Sequence, residues 1–353
     1  MDVIFAPDWS DGVPYQRLLA SGLREHGVNV RFLYGYKRLL PLSRALRQEK
    51  ADLLHLHWPE AYFPPRKDRW DWWRRARFRV DLLLTLQNIR LATTGHNLAP
   101  HNRAREAFAT TNVGYAYRCS DVVFAHSEIA KTRLAETFSV PPQRIDVVPH
   151  GDLSVTLGEP VPVHAAREKL QLPQERKIAL IFGMVEPYKG QEEVINWWRK
   201  ANPDALLVIA GKPMNAEYRE HIRAQIGDAP NIVARFEWLD DTMLRDYLCA
   251  ADCTIFNYRK IFTSGAANLA RSWGIPMVLP KRLDTVVFDE PCPLAHRFES
   301  IDTDFEPCLR NALATPQDFK SAAGWRETTD WSRVAGLTLE GYRRAMKGPR
   351  PRL

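Results

Sequence analysis

Ionisable and aromatic side chains end or follow five apolar segments in the first half of the chain. These side chains are Asp8 with Asp11, His57 with Trp58 and Glu60, His96 with His101, His126, and His150. Carboxylates and imidazoles can accept the proton of an attacking hydroxyl, so this pattern indicates general-base chemistry. A single histidine here could be a strand end whose ring is satisfied by hydrogen bonds. Five such positions together favour a functional cluster.

A metal site is the alternative for part of this cluster. His55 and His57 alternate along one strand and therefore lie on one face of it. No third ligand follows at a spacing typical of zinc sites. The two histidines alone do not decide between a metal site and a hydrogen-bonded strand end.

Two segments of the second half could bind an anion. The first, residues 182–190, has a lysine beside a glycine at the turn between a strand and a helix. The second, residues 257–265, has two cations just before a helix begins, where free amides and the helix dipole favour negative charge. Together they predict a diphosphate site, and a solvated basic loop is the alternative. The candidate residues of the diphosphate site are Lys189, Gly190, Tyr258, Arg259, Lys260, Ser264 and Gly265.

Apolar strands alternating with helical patterns must position these side chains. The predicted strands are 3–6, 28–33, 53–57, 91–94, 122–125 and 145–148, then 178–182, 205–210, 232–236, 254–256 and 277–279. Such alternation is typical of α/β folds with parallel sheets, in which ligands bind beyond the carboxyl ends of the strands. The pattern lapses over residues 152–177, which we interpret as an interdomain connection with one short helix. We predict one domain over 1–155 and a second over 165–328, with a last helix over 331–347 that packs back on the first.

Composition narrows the class of protein. At 353 residues the chain exceeds the usual size of one hydrophobic core, and 45% hydrophobic with 26% charged residues is typical of globular proteins. We find no membrane-spanning run and no leader behind Met1, and five cysteines form no paired CxxC motif. We therefore expect a cytoplasmic protein with reduced thiols.

The positive charge lies in the first half of the chain. Residues 1–150 hold 22 lysines and arginines against 15 acidic residues, whereas the remainder holds 27 of each. Nucleic acid, an anionic membrane and a phosphorylated substrate could each attract such a half. No zinc finger, helix-turn-helix or RNP-type motif accompanies the charge, which argues against nucleic acid.

One basic segment, residues 66–79, contains seven arginines or lysines together with Trp70, Trp72 and Trp73. Tryptophan with arginine suits the headgroup region of an anionic bilayer, so we predict peripheral membrane binding through this segment. The alternative is an ordinary exposed helix whose tryptophans pack inward.

These motifs together resemble a known family. They are residues 52–60 (DLLHLHWPE), 95–101 (GHNLAPH), 148–151 (VPHG), 182–190 (FGMVEPYKG) and 258–265 (YRKIFTSG). The chain from about residue 1 to 346 resembles bacterial glycosyltransferases of the GT-B fold, most of all the exopolysaccharide enzymes typified by the β-mannosyltransferases of xanthan synthesis.

The resemblance implies a fold and an activity. It implies two Rossmann-like domains facing across a cleft, with the acceptor on the first and the nucleotide sugar on the second, and no catalytic metal or other cofactor. Lys189 and residues 259–265 would hold the donor diphosphate, and Glu237 would lie near the base of the nucleotide. His57, Trp58, His101 and Asp11 would lie on the acceptor side. The acceptor would be a lipid-linked glycan at the inner face of the plasma membrane, and the donor a GDP-linked hexose, with mannose favoured.

This sequence departs from the common retaining pattern of that fold. Ile261 and Leu269 stand where retaining enzymes have two glutamates, and Met184 stands where they have an arginine. The xanthan-type enzymes share the missing glutamates and are inverting, so the resemblance favours inversion. A retaining enzyme, and a nucleotide-sugar-binding protein without catalysis, remain the alternatives.

Inversion requires a base opposite the leaving diphosphate. Asp8 is the first candidate because it follows the first strand, where strand order is expected to reverse. Glu60 and Asp11 are the reserves. His96 follows the fourth strand, which we expect beside the first, and could orient the sugar or act as the base itself.

Overall fold

The computed structural model describes residues 1–33, 39–62, 71–98, 106–259, 261–283, 292–320 and 322–351. It divides into two compact units. The first contains Met1–Gly151 with Thr328–Leu353, and the second contains Asp152–Glu327. Each unit holds a six-stranded parallel sheet with helices, which confirms the predicted α/β class.

The strands of the first unit are β1 (Asp2–Ala6), β2 (Asn29–Phe32), β3 (Leu53–His57), β4 (Arg90–Thr94), β5 (Val122–Ala125) and β6 (Ile145–Val147). The central strands β1, β3, β4 and β5 are almost fully buried, as expected of a parallel sheet covered on both faces, whereas the edge strands β2 and β6 are partly exposed. The spatial order of the six strands is β2-β1-β3-β4-β5-β6. Strand order therefore reverses between β1 and β3, which is where a ligand crevice is expected.

The prediction that the fourth strand lies beside the first is wrong. β1 pairs with β2 along one edge and with β3 along the other, in the register Val3 to Leu53, so neither edge is left for β4. β4 pairs with β3 instead. His96, which follows β4, is therefore separated from the end of β1 by a whole strand.

The helices of the first unit begin where the sequence offers a suitable residue, such as Pro14 in the first turn of α1 or the Ser127 hydroxyl that caps α5. They are α1 (Pro14–Glu25), α2 (Pro41–Gln48), α3 (Asp71–Leu86), α4 (Glu106–Cys119) and α5 (Glu128–Phe138).

The second unit has the strand order β12-β11-β10-β7-β8-β9, with the reversal between β7 and β10. Its strands are β7 (Ile178–Phe182), β8 (Leu206–Ala210), β9 (Ile232–Arg235), β10 (Cys253–Ile255), β11 (Met277–Pro280) and β12 (Ala295–Phe298). Its helices are α6 (Val163–Lys169), α7 (Gln191–Ala201), α8 (Ala216–Ile226), α9 (Asp241–Ala250), α10 (Gly265–Trp273), α11 (Phe305–Ala314) and α12 (Ala323–Thr328). β12 was not predicted, because His296 and Arg297 interrupt its apolar pattern at the sheet edge.

The stretch 152–177 is part of the second unit's core and not a bare connection. Leu157, Ala166 and Leu172 are buried in the same apolar cluster as Ile178 and Leu180 of β7. Arg167 of α6 also donates to the Ala250 carbonyl, 3.0 Å away, and pairs with Asp252 at 2.8 Å. These contacts place the stretch against α9.

The last helix, α13 (Trp331–Lys347), belongs to the first unit. It crosses α1 at Gly22, where an added Cβ would come within 2.7 Å of the Trp331 carbonyl oxygen. Tyr342 is buried and its hydroxyl lies 2.6 Å from Nδ1 of His55 in β3. The last helix thus completes the core around the first sheet.

Candidate functional site

Asp8 is held in place in the loop that follows β1. Its Oδ1 accepts hydrogen bonds from the Ser10 amide at 3.1 Å and the Ser10 hydroxyl at 2.7 Å. Gln16, fully buried in α1, ties the same loop down by accepting from the Trp9 amide and donating to the Pro7 carbonyl. Among the described residues no group donates to Oδ2 of Asp8, so this half-buried carboxylate keeps one oxygen for a ligand. Asp11 is exposed.

Trp58 follows β3 in a strained conformation. Its φ is 47°, in the left-handed region that a bulky residue rarely adopts. The indole stacks on the ring of His96, with centroids 4.1 Å apart, and on the indole of Trp9 at 5.1 Å. Strain of this kind persists where packing holds it and is common at functional sites.

The expected cluster of imidazoles forms at the carboxyl edge of this sheet. Nδ1 of His57 lies 3.2 Å from Nε2 of His96, and Nδ1 of His96 lies 3.4 Å from Nε2 of His126. Nδ1 of His126 lies 3.0 Å from the Val148 carbonyl oxygen, and Nδ1 of His150 lies 3.4 Å from that of Gly151. Tyr15 packs edge-on against these rings, with its centroid 4.9 Å from that of His96.

Burial keeps these imidazoles neutral. It lowers the pKa of His57 and His96 well below the usual 6.5, and the neighbouring imidazoles lower it further. It lowers the pKa of His126 to about 3 and that of His150 to about 4, although a backbone carbonyl opposes each shift. At neutral pH the cluster offers hydrogen bonds without charge.

His55 is part of the core rather than of this cluster. Its Nδ1 meets the Tyr342 hydroxyl and its Nε2 meets the Thr94 hydroxyl, 2.7 Å away. Both ring nitrogens are therefore occupied. Across the described ranges, no group of three or more histidine, cysteine or carboxylate side chains is arranged to hold a metal ion.

Glu60 lies just past β3 and is half-buried. Burial raises the pKa of its carboxyl, although the amide of Asn97, 3.3 Å away, partly offsets this. The Tyr117 hydroxyl in turn donates to the Asn97 carbonyl at 3.3 Å. Glu60 therefore holds its proton to a higher pH than an exposed glutamate. His101, the remaining acceptor-side candidate, lies outside the described residues.

In the second unit, the two predicted anion-binding segments are joined directly. The Asn257 side chain donates to the Gly190 carbonyl at 2.9 Å, and the Arg259 amide donates to the Tyr188 carbonyl at 2.7 Å. Gly190 has a φ of +66°, and a Cβ there would lie 2.3 Å from the Asn257 carbonyl oxygen. Only glycine lets the turn after β7 approach the segment after β10 so closely. The joint lies where strand order reverses.

Lys189 is a nearly buried cation in this joint. It is 8% exposed and makes no hydrogen bond or salt bridge within the part of the chain that the structure describes. Its ammonium lies 5.9 Å from the centroid of the Tyr258 ring. Burial lowers its pKa to about 8, while Glu186 acts in the opposite direction. A buried ammonium is costly when no hydrogen bond or salt bridge holds it, and here the charge of Glu186 only partly offsets the effect of burial, so this site favours an anion.

The N-terminus of α10 adds uncharged donors to the same site. The Ser264 hydroxyl accepts from the Ala267 amide at 3.1 Å and caps the helix. The amides of Gly265 and Ala266 precede the first intrahelical donor and have no partner within the helix. Amides and dipole at a helix start favour negative charge.

Arg259 is held by acidic residues of α7. Its Nε and Nη2 lie 2.7 and 2.6 Å from Oε1 of Glu193, and Nη2 lies 3.8 Å from Oε2 of Glu192. One edge of the guanidinium is therefore already paired with a carboxylate. Lys260 lies outside the described residues.

Glu237 does not join this group. It is exposed in the loop after β9, next to Trp238, which is 61% exposed. No hydrogen bond or salt bridge links it to the Lys189 cluster within the described ranges. Its electrostatic neighbour is Tyr247 on α9.

One polar residue of this site was missed by sequence reasoning. Gln191, the first residue of α7, is fully buried, and neither its Oε1 nor its Nε2 has a hydrogen-bond partner among the residues described. Its position directly after Gly190 was the available signal. Leu269, at one of the missing glutamate positions, is buried in the apolar core, and Ile261 packs against that core.

Comparison with known proteins finds a family model that matches most of the first unit. Residues 2–152 match the family described as Glycosyltransferase Family 4. The chain is 25% identical over 310 residues to a GDP-mannose:glycolipid 4-beta-D-mannosyltransferase from Xanthomonas campestris pv. campestris, covering 84% of this chain and 81% of that protein. A D-inositol 3-phosphate glycosyltransferase from Thermobispora bispora is 24% identical over 179 residues, or 49% of this chain and 38% of that protein.

Solved structures share the fold over the whole chain. A sucrose-phosphate synthase from Thermosynechococcus elongatus superposes with a TM-score of 0.74 at 16% identity, covering 98% of this chain and 99% of that one. Anabaena HepE in complex with UDP and glucose superposes with a TM-score of 0.70 at 15% identity, covering 97% and 99%. The likeness confirms the GT-B fold that the family resemblance implied.

Proposed function

We propose that this chain, a glycosyltransferase of the GT-B fold, transfers mannose from GDP-mannose to a lipid-linked glycan with inversion at the anomeric carbon. The observation that carries the proposal is Lys189, a nearly buried ammonium at the β7/β10 reversal that makes no salt bridge or hydrogen bond among the described residues. The 25% identical Xanthomonas relative, whose name specifies GDP-mannose and a glycolipid, supports the choice of donor and acceptor class.

The donor diphosphate would be held by groups of the second unit. Lys189 supplies a full charge, the Gly265 and Ala266 amides supply hydrogen bonds, and Arg259 supplies a second cation. Such charge, fixed before the reaction, stabilises the diphosphate as it leaves, and electrostatic stabilisation of this kind often accounts for most of an enzyme's rate enhancement. We propose that these groups take the place of a divalent metal.

The acceptor hydroxyl would be activated in the first unit. We assign Asp8 as its base, because Oδ1 is anchored by Ser10 while Oδ2 is available. In the proposed step the hydroxyl oxygen bonds to the anomeric carbon, its proton passes to Asp8, and the bond from that carbon to the diphosphate breaks. The stacked indoles of Trp9 and Trp58 offer an apolar face on which a sugar ring can pack.

Turnover tests this proposal. GDP-mannose and a control donor, UDP-glucose, are incubated with a polyprenyl-diphosphate-linked oligosaccharide in EDTA, and the linkage formed is read by NMR. We expect transfer from GDP-mannose with a β-linked product. An α-linked product would establish a retaining enzyme, and nucleotide binding without any transfer would favour a binding protein that has lost catalysis.

The base is tested by a matched pair of variants. Asp8→Asn should reduce kcat at least about 100-fold, the scale of general-base catalysis, with nucleotide affinity unchanged. Asp11→Asn, a nearby and exposed aspartate, should retain most of the activity. A larger loss of kcat in Asp11→Asn than in Asp8→Asn would assign the base to Asp11.

We also propose that α3 binds the inner face of an anionic membrane. Trp72, Trp73, Val80 and Leu83 are 63%, 49%, 48% and 39% exposed, so the tryptophans do not pack inward. At 100° per residue these four side chains fall within about 100° of arc on one helix face. An apolar stripe of this kind, in a helix that also carries several arginines, suits a helix lying in the headgroup region. Residues 66–70 of the predicted segment lie outside the described part of the chain. None of the described helices combines the length and the apolar composition of a membrane span.

Liposome sedimentation tests the membrane contact. The intact chain should pellet with vesicles that contain phosphatidylglycerol and much less with pure phosphatidylcholine. A Trp72→Ala and Trp73→Ala double variant should lose most of this binding. Val155→Ala and Val163→Ala, which also remove exposed apolar side chains, provide the control. Equal binding by the two double variants would contradict the assignment to α3.

A further inference from the structure

The three imidazoles of His57, His96 and His126 form a hydrogen-bonded chain that ends on a backbone carbonyl. The links are 3.2 Å between His57 and His96, 3.4 Å between His96 and His126, and 3.0 Å between His126 and the Val148 oxygen. Every link uses Nδ1 of one ring and an acceptor atom of the next group. The chain therefore has a direction.

That direction fixes the tautomer of each ring. The Val148 carbonyl can only accept, so Nδ1 of His126 carries the hydrogen. Because the buried ring is neutral, its Nε2 then has a lone pair, which accepts from Nδ1–H of His96. Nε2 of the neutral His96 ring then also has a lone pair, and it accepts from Nδ1–H of His57. Nε2 of His57 is left with a bare lone pair at the head of the chain.

This nitrogen is an orphaned acceptor within the described part of the molecule. His57 is 0% exposed, and its Nε2 is buried without a hydrogen bond to any residue that the structure describes. Buried polar atoms are seldom left unpaired in native proteins, and those that are call for a ligand or a water. His57 ends β3, at the reversal of strand order, beside the strained Trp58 and its stack with Trp9.

We propose that Nε2 of His57 accepts a hydrogen bond from a hydroxyl of the acceptor sugar, and that His96 and His126 are positioning residues that hold this nitrogen free of hydrogen. A lone pair selects a donor and rejects the unprotonated oxygens of a phosphate or carboxylate. A sugar hydroxyl is such a donor. The neighbouring indole of Trp58, 5.9 Å from the His57 ring and stacked on Trp9, suits the apolar face of a pyranose. This inference rests on the proposed function, since it assigns the acceptor to the first unit.

The tautomers can be measured by two-dimensional ¹⁵N–¹H NMR on the full chain labelled at histidine. We expect the Nδ1–H form at His57, His96 and His126 at neutral pH. An Nε2–H form at His57 would overturn the inference. A His126→Leu variant removes the link to Val148 and should leave His57 as a mixture of both forms. His150→Asn changes a ring that belongs to the same cluster but not to the series of hydrogen-bonded imidazoles. It should leave the three tautomers unchanged.

The ligand is tested on the same sample by adding the methyl pyranosides of glucose, mannose, galactose and glucuronic acid in turn. At least one should shift the His57 Nε2 resonance in the wild type, and the shift should be lost in His126→Leu and kept in His150→Asn. A resonance that none of the sugars moves would assign this nitrogen to a buried water and overturn the sugar site. Nucleotide binding measured alongside separates this failure from failure of the proposed function, because it reports the second unit alone.

Discussion

At the scale of single residues, the proposed donor site depends on two neighbouring residues, a cation and a glycine. Lys189 brings a charge into a place where burial lowers its pKa to about 8, so it is still mostly protonated at pH 7. Gly190 brings the backbone against Asn257 where no side chain fits. In the proposed site, the cation would meet a diphosphate only because the glycine lets the two loops join.

Gly190→Ala should therefore abolish nucleotide binding and destabilise the second unit. The substitution combines a positive φ, which costs a non-glycine residue roughly 1–2 kcal/mol, with a contact of 2.3 Å to the Asn257 oxygen. Gly158→Ala is the matched control, since Gly158 has a φ of +73° and no atom within 4 Å of an added Cβ. Urea unfolding and calorimetry should show a modest stability loss with normal binding for the control. Equal effects of the two variants would contradict the role of the joint.

The buried imidazoles predict a loss of stability in mild acid. A histidine whose pKa is near 6.5 when unfolded and about 4 when folded, as at His150, contributes stability that is full above pH 6.5 and is lost as pH falls toward 4. Each such ring costs about 1.4 kcal/mol for every pH unit in that window. Urea unfolding at several pH values should show a shallower acid dependence for His150→Asn than for wild type. His164→Asn, which changes an exposed ring, should leave the dependence unchanged.

The members of both clusters were predictable from the sequence, but their bonding was not. His57, His96, His126 and His150 meet because parallel strands end at one edge, which alternation along the chain already indicates. The order of the imidazole chain depends on which ring reaches which carbonyl, and only the folded geometry decides this. The burial of Gln191 and the salt bridge between Glu193 and Arg259 were not predicted, because both depend on how α7 packs.

At the scale of elements, α7 opposes the anion site with two carboxylates. Glu193 takes one edge of the Arg259 guanidinium, and Glu192 lies 3.8 Å from it. A diphosphate in the proposed site would therefore compete with Glu193 for this arginine. We expect the first turn of α7 to set the affinity of that site for an anion.

Glu193→Gln should tighten nucleotide binding by roughly 3- to 10-fold, because removing a negative charge near an anion site lowers repulsion and frees Arg259. The gain should shrink in high salt. Glu217→Gln makes the same charge change at an exposed position of α8 and should have little effect. Unchanged or weaker binding by Glu193→Gln in low-salt calorimetry would show that Arg259 does not serve the anion.

Most strand positions were predicted because the strands of a parallel sheet are largely apolar. The exceptions follow from the same physics. β12 lies at a sheet edge and carries His296 and Arg297, so its pattern is weak. The place of β4 could not be read from periodicity, because both orders of parallel strands bury the same residues.

At the scale of the whole molecule, the first unit is built from two segments of the chain that are far apart in sequence. The chain leaves the first unit at Gly151 and returns to it at Thr328, where α13 completes the core with Tyr342 against His55. Predicting the helix was possible from its apolar spacing. Its partner surface on α1 depends on Gly22, a contact that only the fold reveals.

Ending the chain at Glu327 should therefore unfold the first unit and spare the second. Scanning calorimetry should show the loss of one transition, and GDP should still raise the Tm of the transition that remains. A chain ending at Gly348 retains α13 and should behave like the full protein. Loss of both transitions in the shorter chain would show that the second unit does not fold without the first.

A nucleotide-diphosphate site built around Lys189 underlies the proposed activity, and calorimetric titration of the full chain with GDP, UDP, ADP and dTDP in EDTA tests it without needing an acceptor. We predict selective binding of GDP, weakened at least about 10-fold in Lys189→Ala, which removes a charge-assisted contact. Lys212→Ala, an exposed lysine of the second unit, should bind like wild type. Binding of none of the four nucleotides, or equal binding by wild type and Lys189→Ala, would show that Lys189 does not form a donor site.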